Sequence, residues 1–122
     1  MQFDNASPIY KQIIEDFKKK MIRGELKKGD KILSQREYAQ MATVNPNTVQ
    51  RAYREMESMN LVETLRGQGT FVCVTPEQLV ELKKEMATGL LESFITEMRS
   101  LDYSDVEILG MLKGYLDYKE GD

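Results

Sequence analysis

Five helix starts are written into this chain, and each carries its own capping chemistry. A helix leaves its first N–H groups without intrahelical partners, so a short polar residue that accepts from them marks where the helix begins. Ser34 with Glu37, Thr75 with Gln78 and Ser104 with Glu107 each read as a capping box, in which the third helical residue bonds back to the cap. Ser7-Pro8 and Asn45-Pro46 place a cap before a proline, whose missing N–H is harmless at the first helical position. The spacing of these starts leaves room for one medium helix, two short ones and a long helical tail.

Apolar periodicity fills in the elements. Tyr10, Ile13, Ile14, Phe17 and Met21 give the first helix, which Gly24 ends. Lys31-Ile32-Leu33 can make a short strand. The second helix runs from about Gln35 to Met41, and Ala42-Thr43-Val44 is a tight turn. The third reaches about Met59 with Val49, Ala52, Tyr53, Met56 and Met59 on one side, and Asn60 tolerates the left-handed backbone that closes it. Leu61 to Leu65 and Thr70 to Val74 read as strands, with Arg66-Gly67-Gln68-Gly69 between them as a hairpin tip. The fourth helix carries Leu79, Leu82, Met86, Leu90, Phe94 and Met98, and the fifth Val106, Leu109, Leu112 and Leu116. Two helices joined by a three- or four-residue turn and followed by a glycine-tipped hairpin have winged helix-turn-helix order. The expected fold is therefore mainly α with a small β-hairpin. A winged helix-turn-helix spans 1–74 and a two-helix C-terminal region spans 75–122.

Composition excludes several functions. Of the 122 residues, 41% are hydrophobic, enough for a compact core, yet no apolar run approaches the ~18–20 residues of a membrane span. Met1 to Ser7 is polar and lacks a leader's apolar core, so a soluble, cytoplasmic protein is expected. The chain has no histidine, which removes the commonest general base and the commonest metal ligand together. No nucleophile is clustered with a base, and no acidic loop has a ligand pattern, so neither enzyme activity, metal nor cofactor is expected. The one cysteine, Cys73, lies in Phe71-Val72-Cys73-Val74 and reads as a buried thiol.

The net charge of −3 conceals an asymmetry. Up to Val74 there are 12 Lys+Arg against 9 Asp+Glu, and from Thr75 onward 5 against 11. A mildly basic front and an acidic back hint at a nucleic-acid face on the front half. In a helix-turn-helix the second helix of the pair enters the major groove, and here that helix begins at Asn45. Its first turns present Asn45, Asn47, Thr48, Gln50 and Arg51, while Val49 and Ala52 face inward. Short polar groups beside free helix N–H groups suit phosphates, and Asn, Gln and Arg suit base edges. The plainer alternative is that Asn45 only caps and Asn47 is only solvated. At the hairpin tip two glycines permit close approach, with Arg66 and Gln68 beside them able to reach phosphates or the minor groove. Arg36, in the first turn of the second helix, is placed either for a phosphate or for an ion pair with Glu37 or Glu15. Lys18-Lys19-Lys20, Arg23 and Lys27 form a basic run that reads best as solvated surface.

At these residues the chain resembles the GntR family of bacterial regulators, and within it the short YtrA-type subfamily. The resemblance is carried by Pro8-Ile9-Tyr10, Gln12-Ile13, Gly24-Glu25-Leu26, Gly29-Asp30, Ser34, Arg36-Glu37 and Ala39. It continues through Val44 to Val49, Arg51-Ala52-Tyr53, Leu61-Val62 and Gly67 to Val72. It implies DNA contacts at Ser34, Arg36, Asn45, Asn47, Thr48, Gln50, Arg51 and the wing Gly67-Gln68-Gly69. Lys28 and Leu33 stand where the family usually has proline, and Asn60 where it usually has glycine. None of the three removes a contact residue.

The tail of 75–122 is too short to enclose a sizeable pocket. Leu90, Leu91, Phe94, Ile95 and Met98, with Leu109, Leu112 and Leu116, give it more apolar surface than two helices can hide. A second copy of the chain is the expected cover, as the YtrA-type resemblance implies; the alternative is folding back onto the winged domain. The combined expectation is a homodimeric, double-stranded-DNA-binding regulator, a repressor by resemblance, reading an inverted repeat and open to a small-molecule effector at the dimer interface. The competing class is a winged-helix protein-interaction module, which would carry an uncharged, apolar recognition face in place of Arg51 and Arg54.

Overall fold

The computed structural model describes residue 3 and residues 7–120, with side chains as far as residue 117. The rest of the polar start, residues 1–2 and 4–6, lies outside the described residues. The elements are α1 (Ile9–Ile22), β1 (Lys31–Ile32), α2 (Gln35–Ala42), α3 (Pro46–Ser58), β2 (Val62–Leu65), β3 (Gly69–Val72), α4 (Pro76–Ser100) and α5 (Asp105–Glu120). They divide into two compact units, Met1–Lys83 and Lys84–Asp122.

The capping boxes form as the residue types require. Glu37 N–H donates to Ser34 Oγ at 3.1 Å, and Ser34 N–H donates to Glu37 Oε1 at 3.0 Å. Thr75–Gln78 and Ser104–Glu107 repeat this reciprocal pair. Asn45 Oδ1 accepts from Asn47 N–H at 2.8 Å, with Pro46 in the first turn behind it. The start of α1 differs from expectation. Pro8, not Ser7, holds the cap position, with ψ 144 outside the helical range and no side-chain cap bond. Its carbonyl accepts the first helical N–H bonds, and Gln12 Nε2 ties the entry by donating to the Ser7 carbonyl at 2.8 Å.

In the first unit α1 and α2 pack on α3. Ile13, Val49, Ala52, Tyr53 and Met56 are wholly enclosed. Phe17, Tyr38 and Tyr53 form a three-ring cluster with centroids 5.6–6.2 Å apart, each ring from a different helix. The expected hairpin is widened into a three-stranded antiparallel sheet of order β1-β3-β2. Lys31 stands opposite Phe71, and Leu65 opposite Gly69. α2 closes at Thr43, which takes the left-handed conformation at φ 53, and Asn60 does the same after α3 at φ 59. Cys73 is half-buried where full burial was expected; its thiol donates to the Asn60 carbonyl at 3.4 Å, and burial pushes its pKa up.

In the second unit Arg99 forks onto Asp105 through two bonds of 3.0 Å, fixing the turn between the end of α4 and α5. The pairing holds the Asp105 carboxyl below the usual range. Ile108 is buried there.

Candidate nucleic-acid interface

The candidate interface is assembled from three local structures. The first is the start of α3. Asn45, Asn47, Gln50 and Arg51 are exposed and Thr48 is half-buried, while Val49 and Ala52 fill the core. This division follows from helical periodicity, because a residue two places from a core position points outward.

The second is the start of α2. Ser34 Oγ accepts from Glu37 N–H and Ser34 N–H donates back to Glu37 Oε1, so the two residues close the helix start on each other. The two bonds from Ser34 hold the Glu37 carboxyl below its ordinary range, the backbone N–H acting more strongly than the hydroxyl. Glu37 is thereby engaged at the cap, and among the described residues the ion pairs do not include Arg36. Arg36 is exposed.

The third is the wing. Gln68 N–H donates to the Leu65 carbonyl at 2.9 Å and closes the tip, with Gly67 at φ +78 and Gly69 at φ +130. Both values favour glycine, since a Cβ is strained there. A Cβ on Gly69 would also lie 2.6 Å from Lys31 Cε, so the Lys31 stem occupies the space glycine leaves. Arg66, Gly67 and Gln68 are exposed.

Two clefts connect these parts. One, of about 490 Å³, lies between the wing and the start of α2 and brings Ser34 and Arg36 together with Gly67, Gln68 and Gly69. The other, of about 460 Å³, lies between α2 and the start of α3 and brings Arg36 together with Asn47 and Gln50. Arg36 lines both. Asn45, Thr48, Arg51 and Arg66 lie outside the two linings. Sequence reasoning missed Lys31 and Gln35 in these walls. Only the pairing of β1 with β3 places Lys31 beside the wing, and a two-residue strand gives no periodic signal.

The bacterial regulatory protein model named gntR family matches residues 9–72. The chain belongs to the GntR family. Over 120 residues this GntR chain is 43% identical to YhcF of Bacillus subtilis, an uncharacterized HTH-type transcriptional regulator, covering 98% of this chain and 97% of that one. It is 40% identical over 105 residues to the HTH-type transcriptional repressor YtrA of the same organism, covering 85% and 78% respectively. A GntR family regulator from Listeria monocytogenes superposes with a TM-score of 0.81 at 38% identity, covering 92% of this chain and 98% of that chain. The DNA-binding domain of AraR, solved in complex with operator ORR3, superposes with a TM-score of 0.51 at 27% identity, covering 60% and 93%. The GntR chain is thus a winged-helix, DNA-binding transcription regulator of the YtrA type and not an enzyme. Among the described residues no helix is long and apolar enough to cross a membrane.

The apolar residues of the tail are partly gathered. Leu91, Phe94, Ile95, Leu109 and Leu112 line a cleft of about 300 Å³ with Ile108, walled at one end by Arg99 and Asp105. Leu90 and Leu116 are exposed and Met98 is half-buried, all three outside that lining.

Proposed function

We propose that this regulator represses transcription as a homodimer on an inverted-repeat operator. Residues 1–74 act as the DNA-binding domain and 75–122 as the dimerisation region. The start of α3 enters the major groove, presenting Asn45, Asn47, Thr48, Gln50 and Arg51 to bases and phosphates. Ser34 and Arg36 hold phosphates at the flank, and Arg66 to Gly69 follow the backbone beside them. The observation that carries this reading is Arg36 lining both clefts, so one cation serves the surface of α3 and that of the wing. That the AraR DNA-binding domain was solved in complex with an operator supports DNA as the partner of this domain. The repressor sense is supported by YtrA, and the dimer by large apolar side chains left exposed on the tail, Leu90 at 71% and Leu109 at 69%. A small molecule held at the dimer interface would act by changing the spacing of the two recognition helices.

The test is binding to the chain's own promoter DNA across a salt series. Several neutralised phosphates per chain make affinity fall steeply with salt. A flat dependence would transfer the assignment to a protein-interaction module.

A further inference from the structure

Arg51 of α3 does not extend freely into solvent. Its guanidinium carbon sits 3.8 Å from the centroid of the Tyr10 ring on α1. Its Nη2 donates to the Tyr10 hydroxyl at 3.1 Å, and its Nε lies 3.5 Å from Glu55 Oε1 one turn further along α3. Three contacts of different kinds, two of them across 41 positions of sequence, hold a single exposed side chain. These contacts run through Nη2, Nε and one face of the guanidinium.

We infer that Tyr10 is a positioning residue that holds the Arg51 guanidinium over its ring and directs it at a DNA phosphate. An unrestrained arginine loses rotamer freedom on docking, and a stacked one has lost much of it beforehand. The planar fork matches a phosphate only in a defined orientation, and ring and hydroxyl together define it. Glu55 fixes the near end of the same group. Tyr10 acts entirely through Arg51 and contributes no charge of its own. This inference rests on the DNA-binding reading above.

The experiment is a double-mutant cycle in the full chain, with DNA affinity measured across a salt series. The variants are Tyr10→Leu, Tyr10→Phe, Arg51→Ala and Tyr10→Leu with Arg51→Ala. Tyr10→Leu is expected to weaken binding about three- to tenfold, the range of immobilising one rotamer-rich side chain on docking. Its salt slope stays that of the wild type, because Arg51 keeps its charge. Arg51→Ala weakens binding and lowers the slope by about one. In the Arg51→Ala background Tyr10→Leu has no further effect, and Tyr10→Phe alone falls between wild type and Tyr10→Leu. Tyr10→Leu losing the same factor with and without Arg51 would mean that it acts on the fold, and the inference is overturned. An unchanged affinity in Tyr10→Leu overturns it too. Either result leaves the DNA-binding reading standing, provided wild-type affinity is salt-dependent. A wild-type protein that binds no DNA removes both.

Discussion

The hydroxyl of Tyr53, deep in α3, donates to the backbone carbonyl of Leu33 at 2.6 Å. That bond ties the chain just before α2 to the middle of α3, so the two helices of the pair share an anchor. Tyr53→Phe keeps the ring cluster with Phe17 and Tyr38 but removes the anchor. The expected loss is about 1 kcal/mol of unfolding free energy, the ordinary net worth of one such bond. Urea denaturation checks it, and an unchanged midpoint would mean that water replaces the bond. Burial above all, with smaller effects of Tyr38 and Glu37, pushes the Tyr53 phenol far above its usual range. Unfolding therefore releases a proton once the pH passes the ordinary tyrosine range. Stability is full below that range and falls as pH rises through it, and Tyr53→Phe should flatten the fall.

Ser34 and Glu37 make the start of α2 sensitive to acid. The bonds from Ser34 favour the Glu37 carboxylate, so its folded pKa lies below its unfolded one. The stabilisation is present above the ordinary glutamate range and is lost as pH falls through the lowered value. An NMR titration of the Glu37 carboxyl should show a depressed midpoint that returns toward normal in Ser34→Ala. The same variant should lose about 1 kcal/mol of stability at neutral pH, as a missing helix cap does.

Arg36→Ala should weaken DNA binding and lower the salt slope by about one, leaving thermal unfolding unchanged. No ion pair among the described residues holds Arg36 to the fold, so its removal disturbs little else. Binding equal to wild type would remove Arg36 from the interface.

Phe94→Glu places a charge among Leu91, Ile95, Leu109 and Leu112. Sedimentation should show the variant as a monomer. Affinity for a two-half-site operator should drop about tenfold or more, because the second half-site is then no longer tethered. A variant that remains dimeric would place the interface elsewhere.

The parts of this molecule legible in the sequence are those set by neighbours within four residues. Ser34 with Glu37, Thr75 with Gln78, Ser104 with Glu107, and Asn45 all cap as their residue types demand. Asn60 takes the left-handed backbone expected of it. Ser7 is the exception, because the proline after it keeps an extended ψ and takes the cap position itself. Contacts between distant segments left no comparable trace. Lys31 reaches Gly69 only through the order of the sheet, and Tyr10 reaches Arg51 only through the packing of α1 on α3. Outward positions such as Asn47 and Gln50 are readable from periodicity, whereas the cleft joining them to Arg36 arises only from the packing of α2 against α3.

Thr43 bends the chain between α2 and α3 with a left-handed backbone that β-branched residues seldom adopt. Glycine would enter that shape with less strain, but it would also admit many others. A threonine so constrained behaves as a rigid elbow instead of a pivot. In the proposed docking, the pair of helices would reach DNA as a calliper whose gap is already set by this turn.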